Sequence, residues 1–268
     1  MKKIYLLLFI LLVISCGKSS PEISKEKETS GIWDMIWSDE FSTDGKPDVS
    51  KWTFTSRGTS DWNRYCAADT TTAVVRSGKL FLKGKLTGSG TEKYKTGGIQ
   101  SKGNFSFKYG KIEVFAMLGQ GKGSWPAIWM MPEKSVYGGW PKSGEIDIME
   151  NLNFDAFFYQ VVHSEYVDVL NQKENPKNFS TASYKKGEYN LFGMEWYPDR
   201  LDFFINGSKT FSYPRVEGKG SAQWPFDQEF YIILNQALGG NWVGSITDSD
   251  LPVQMIVDWV RVYQKSDK

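Results

Sequence analysis

Between Gly144 and Asn151 the chain reads Gly-Glu-Ile-Asp-Ile-Met-Glu-Asn, and this run holds the residues best suited to chemistry. In an extended strand successive side chains alternate, so Glu145 and Asp147 share one face while Ile146 and Ile148 share the other. Strict alternation would turn Glu150 to the isoleucine face, where burying an unpaired carboxylate is costly unless it takes up a proton. Two arrangements avoid that cost: the strand stops at Met149, or an extra residue is absorbed as a β-bulge near Ile148 and Met149. With the bulge, Glu145, Asp147 and Glu150 share one surface. Like charges so close cannot all ionise freely, and at least one carboxyl must hold its proton more tightly. A carboxylic acid beside an ionised carboxylate is the equipment for cleaving glycosidic bonds. An exposed acidic edge or a cation site is the plainer alternative.

The neighbourhood favours the first reading. Trp125, Trp129 and Trp140 lie shortly upstream, in a chain that is 15% aromatic, and flat rings are what sugars stack on. For Trp125 and Trp129 core packing is the competing reading. Trp242 follows Gly239-Gly240-Asn241, a loop-like run, and is expected to face the cleft. His163, the chain's one histidine, lies a hairpin beyond the acidic strand, either as a sugar ligand or as a structural residue.

Other chemistries are excluded by composition. One histidine and two cysteines, Cys16 and Cys66, cannot assemble a His/Cys zinc site, and no GxSxG, Walker or GxGxxG motif is present. The 32 basic and 31 acidic residues nearly cancel without a basic aromatic groove, so nucleic acid is not an expected partner. Asn151 to Val162 has neither the glycine nor the closing glutamate of a calcium loop.

The elements that must carry these residues are strands. Ile112, Val114, Ala116 and Leu118 alternate with Glu113, Phe115 and Met117. The same rhythm runs through Phe192, Met194 and Trp196, turns at Pro198-Asp199-Arg200, and returns through Leu201, Phe203 and Ile205 to the hairpin signal Asn206-Gly207. Short strands from Trp33 to Tyr263, with no linker or repeat, predict one all-β domain, a sandwich or barrel.

Gly123-Ser124-Trp125-Pro126-Ala127-Ile128-Trp129-Met130-Met131-Pro132, Gly139-Trp140-Pro141 and Ser143 through Glu150 together resemble glycoside hydrolase family 16, in its laminarinase-like branch. The likeness extends through Trp37-Ser38-Asp39-Glu40-Phe41, Tyr109 through Val114, Gly239 through Trp242, and Val257 through Tyr263. It implies a β-jelly-roll sandwich of two antiparallel sheets with a concave polysaccharide cleft. It also implies a retaining mechanism with Glu145 as nucleophile, Glu150 as general acid/base and Asp147 between them, and no catalytic cofactor. Branches resembling lichenases and xyloglucan transferases have one residue fewer in the acidic strand. The branch resembled here implies an endo-β-1,3(4)-glucanase.

Departures from the pattern bear on the substrate. Phe115 stands where the family often has arginine, Asp61-Trp62-Asn63-Arg64 where Asn-Asn-Glu is usual, and Gln236 where an apolar residue is usual. Asn63, Arg64 and Gln236 are therefore expected sugar contacts, and a β-galactoside glycan of mucin or galactan type is an alternative substrate. The family also implies a structural calcium on the convex side, with Asp258 as ligand and carbonyls from Glu40 and Gly78.

At the N-terminus, Met1-Lys2-Lys3 and the apolar run Ile4 through Ile14 have the form of a signal peptide. Val13-Ile14-Ser15-Cys16-Gly17 resembles a bacterial lipobox, which implies cleavage before Cys16 and lipidation of that residue. Residues 1–15 are then a signal, 16–31 a flexible tether and 32–265 the catalytic domain, acting as a monomer anchored to a membrane of the bacterial envelope. An outer-membrane, surface-exposed position is one option. Cys66 is left without a disulfide partner and reads as a buried apolar residue. A non-catalytic surface glycan-binding lipoprotein would use the aromatics but not the three acids.

Overall fold

The computed structural model describes residues 32–266. In chain order its strands are β1 (Trp33–Asp39), β2 (Thr53–Phe54), β3 (Ala73–Arg76), β4 (Lys79–Leu86), β5 (Tyr94–Gln100), β6 (Gly110–Leu118), β7 (Ser124–Pro132) and β8 (Glu145–Glu150). They continue as β9 (Phe157–His163), β10 (Phe179–Ser183), β11 (Asn190–Trp196), β12 (Arg200–Ile205), β13 (Ser208–Pro214), β14 (Phe230–Leu238) and β15 (Val253–Lys265). The two α-helices among the described residues, α1 (Glu165–Asp168) and α2 (Gly220–Gln223), are single turns. No helix there is long and apolar enough to cross a membrane.

All strand pairings are antiparallel. One layer runs β10-β9-β8-β7-β14-β5 with β2 on β5; the other runs β4-β15-β6-β11-β12-β13, with β1 on β15 and β3 on β4. The expected two sheets are hydrogen-bonded into one curled sheet, because β4 pairs with β5 from Gly84↔Thr96 to Leu86↔Tyr94.

Period-two patterning decides which side chains fill the space between the layers. Ile112, Val114, Ala116 and Leu118 of β6 meet Ile128 and Met130 of β7 and Ile146 and Ile148 of β8 in one core. The β12–β13 hairpin turns at Asn206 (φ 49°) and Gly207 (φ 80°), the left-handed pair that matches the strands' own twist. On the outer face of the layer that holds β7, β8 and β14, Ala127, Trp129, Tyr231 and Ile233 form a smaller cluster against Trp62 and Met131. That face carries the site. Cys66 is a free, buried thiol beside the hydroxyls of Thr55 and Thr96.

Candidate active site

The acidic run lies on β8, between β7 and β9. Just before it, Gly144 has φ 86°, and a Cβ there would stand 2.8 Å from the Phe226 ring and 2.9 Å from Pro225, so only glycine fits. Opposite β9, Asp147 faces Val161 and Glu150 faces Tyr159, which sets Ile148 and Met149 together against the single residue between. Opposite β7, Trp129 faces Asp147 while Ile128 faces Met149, and Ile148 is passed over. This is a β-bulge at Ile148 and Met149, the second of the two arrangements that the alternation argument allows. Ile146, Ile148 and Met149 are all fully buried in the core, and Glu145, Asp147 and Glu150 all line one cleft of about 300 Å³.

Each carboxyl has a different environment. Glu145 Oε2 accepts a 2.5 Å hydrogen bond from the indole N–H of Trp140, a ring otherwise largely exposed. Glu150, nearly buried, accepts from Trp125 Nε1 at 3.0 Å. Asp147 is the most buried of the three, with His163 Nε2 3.3 Å from its Oδ2. Burial, then the charge of Asp147, push the Glu145 carboxyl up to about 8, against the opposing pull of His163 and Trp140. Burial raises Glu150 well above the usual carboxylate range, with the Asp147 and Glu145 charges adding to it. Burial alone would lower the His163 pKa, but its contacts with Asp147 and Asp168 outweigh that and raise it well above the ordinary value. The cleft thus holds two carboxyls that keep their protons more tightly than usual, and such a proton beside a second carboxyl is what acid-assisted displacement at a sugar carbon needs.

Aromatic rings frame these groups. Trp242 is half exposed and stands edge-on to Trp125 at 5.6 Å and to Tyr159 at 5.0 Å. Trp129 is only 6% exposed, so it belongs both to the cleft lining and to the packing beneath it. Its indole N–H donates to Asn235 Oδ1 at 2.7 Å, leaving the buried Asn235 Nδ2 without a protein partner on the cleft wall.

The family model for glycosyl hydrolases family 16 matches residues 62–261. The chain belongs to that family. Among curated family 16 relatives, it is 41% identical to a keratan-sulfate endo-1,4-beta-galactosidase of Sphingobacterium multivorum, over 95% of this chain and 64% of that one. It therefore spans just under two thirds of that relative's length. It is 32% identical to a beta-glucanase of Rhodothermus marinus, over 90% of this chain and 88% of the other. The solved family 16 laminarinase from Rhodothermus marinus superposes with a TM-score of 0.79 at 29% identity, covering 89% of this chain and all (100%) of that one.

Several sequence expectations for this family 16 site need correction. Gln236 does not reach the cleft: it is fully buried, and its Nε2 donates to Ser124 Oγ and Ala237 O. Its neighbour Asn235 lines the cleft instead. Asn63 and Arg64 are not cleft-lining either; the ring of Trp62 is, edge-on to Trp129 at 4.9 Å. Asn63 is tucked against Gly58. Arg64 lies over the Tyr65 ring and 3.4 Å from Asp61, whose Oδ2 accepts from Asn241 N in the loop that carries Trp242. Trp140, largely exposed, donates to the cleft residue Glu145 and lies against the His163 ring. Asp168, behind His163, carried no signal in the sequence.

Of the residues suggested for calcium, Asp258 has its carboxylate engaged, 2.8 Å from the Lys79 ammonium, while Glu40, expected through its carbonyl, has its side-chain carboxylate held by both Nε and Nη2 of Arg261 at 2.9 Å. Gly78 occupies the β3–β4 turn at φ 72°. Among the described residues the one cluster with metal-ligand spacing is Glu145, Asp147 and His163, where the acids and the imidazole already answer one another. Cys16, with residues 1–31, lies outside the described residues.

Proposed function

We propose that this chain is a retaining endo-β-glycanase that hydrolyses internal linkages of a β-1,3- or mixed-linkage β-1,3/1,4-glucan. The observation that carries the reading is the bulge, which turns Glu150 to the face of Glu145 and Asp147 inside an aromatic cleft. Glu145, as carboxylate, attacks the anomeric carbon while the proton of Glu150 passes to the departing glycosidic oxygen, breaking the C–O bond. Glu150, now ionised, then takes a proton from water, whose oxygen displaces Glu145 and frees the sugar. Asp147 stands between the two glutamates and holds its place through His163. Trp125 and Trp242 offer stacking faces, and Asn235 Nδ2 a donor for a sugar hydroxyl.

The 41% identity to a keratan-sulfate endo-galactosidase favours a second reading, an endo-acting hydrolase of β-galactoside glycans. The departures at Asp61-Trp62-Asn63-Arg64 and Gln236 agree with either substrate. Product chromatography over laminarin, mixed-linkage glucan, agarose-type galactan, keratan sulfate and mucin separates the two. NMR of the first products should show the β anomer before mutarotation; an initial α anomer would overturn the retaining mechanism.

The N-terminal sequence supports export and a lipid anchor at Cys16 in the bacterial envelope. Cys16→Ser should abolish incorporation of labelled palmitate and release the protein from the membrane fraction. Retained label would remove Cys16 from that role.

A further inference from the structure

His163 is held between two carboxylates. Its Nδ1 lies 3.1 Å from both oxygens of Asp168, and its Nε2 lies 3.3 Å from Asp147 Oδ2. A neutral imidazole has one N–H and one lone pair, so against two carboxylates one contact would be repulsive; the imidazolium donates to Asp168 and meets Asp147 Oδ2, which has no hydrogen-bond partner, as an ion pair. Asp168 itself is fixed from behind. Its Oδ2 accepts from Ser164 N at 3.2 Å, and Ser164 Oγ caps the turn by accepting from Val167 N at 3.3 Å. Asp168 does not line the cleft.

We propose that Asp168 is a positioning residue of the active site: from outside the cleft it grips the His163 Nδ1–H and holds the ring as a cation against Asp147. This rests on the hydrolase reading above for its kinetic consequence, though not for its geometry. The other charged groups around the ring are Glu145 and Asp147 on β8, with Glu150 beyond them, and Glu165 on α1, whose charge is met by Lys142 at 3.1 Å. The neutral indole of Trp140 covers one side, with ring centroids 5.9 Å apart. Among the described residues no lysine or arginine lines the cleft, so the imidazolium is the one cation beside three acids there. It favours the ionised form of Glu145, the form that can attack. Asp168, which touches no reacting atom, therefore sets the pH range in which the nucleophile is ready.

The test uses the fact that the chain has one histidine. In the full domain, long-range ¹H–¹⁵N spectra of the imidazole report its protonation and tautomer without ambiguity. In the wild type both ring nitrogens should be protonated at pH 7.5, with a midpoint well above that of an ordinary imidazole. Asp168→Asn keeps an acceptor and removes the charge. It should lower that midpoint by about one pH unit or more. The kcat/KM profile on the substrate identified by the glycan panel should then move to higher pH, with KM nearly unchanged because no substrate contact is lost. Asp168→Glu should recover part of both effects. A neutral imidazole in the wild type at pH 7.5, or an unmoved midpoint in Asp168→Asn, would overturn the proposal. Should that variant fail to fold, the wild-type protonation state alone decides. The spectra need no substrate, so absence of hydrolysis would count against the hydrolase reading and leave the histidine result standing.

Discussion

Changing the length of β8 by one residue tests the parity that underlies the site. Deleting Met149 gives Glu-Ile-Asp-Ile-Glu, in which plain alternation alone places all three acids on one face. The cost is one fully buried side chain. By analogy with large-to-small core changes it is about 2–5 kcal/mol, within the roughly 5–15 kcal/mol of a typical domain, so the variant should fold. For a domain of this size that corresponds to a Tm lower by about 5–20 °C. Loss of the bulge also shifts the Glu150 carboxyl, and a misplacement of about 1 Å costs roughly 100-fold in rate. The discriminating assay is the pH dependence of kcat beside thermal unfolding followed by circular dichroism. The deletion should keep the alkaline limb that a general acid produces, whereas Glu150→Gln should lose it. A folded deletion variant without that limb would refute the argument from strand parity.

Glu145→Gln and Glu150→Gln should each lower hydrolysis by at least about 10²–10⁴-fold with near-ultraviolet circular dichroism unchanged, and near-wild-type rates in either would reject its role. Both carboxyls have folded-state pKa values raised above their unfolded ones, Glu145 to about 8, so their contribution favours folding at low pH and is lost as pH rises through the folded values. Glu145→Gln should accordingly raise Tm at pH 8 and leave it nearly unchanged at pH 4; an equal effect at both would mean the carboxyl is not perturbed. Trp242→Ala should weaken binding of long oligosaccharides by about 1–3 kcal/mol in calorimetry, since the ring is half exposed and props Trp125. Gln236→Leu should leave kcat/KM within about twofold because the side chain does not reach the cleft.

How much of this was legible in the sequence depended on whether an element has a wet side. Strand β6 packs one face on the core and leaves the other half exposed, so its alternation can be read directly from Ile112 to Leu118. In β8 the mismatch between Glu150 and its apolar neighbours itself announced the bulge. Strand β14 is buried along its whole length, from Phe230 to Leu238, and offers no polar rhythm to say which side chains face the cleft. An error of one residue there exchanges the faces, and Gln236 was taken where Asn235 stands. Trp62 and Arg64 sit in a turn region, where no period applies and tertiary contacts with Asp61 and Trp129 decide orientation. Asp168 was silent because its meaning depends on a five-residue return of the chain onto His163, which local spacing does not encode.

The pairing of β1 with β15 has a mechanical consequence. Among the described residues β1 has β15 as its one strand partner, from Trp33↔Lys265 to Asp39↔Val260, with a slip at Ile36, and Asp34, Met35 and Ile36 are exposed. A pull on the chain at Trp33 would load these hydrogen bonds one after another, as a zipper, and not all at once in shear. The zipper meets a stop at Asp39, whose buried carboxylate accepts from Trp52 Nε1 at 2.7 Å and Phe41 N at 2.9 Å, with Lys51 close by. Six residues could therefore peel away under load while β8, β7 and β14, which hold the cleft, stay in register. The first strand can act as a sacrificial length of slack between whatever precedes it and the site.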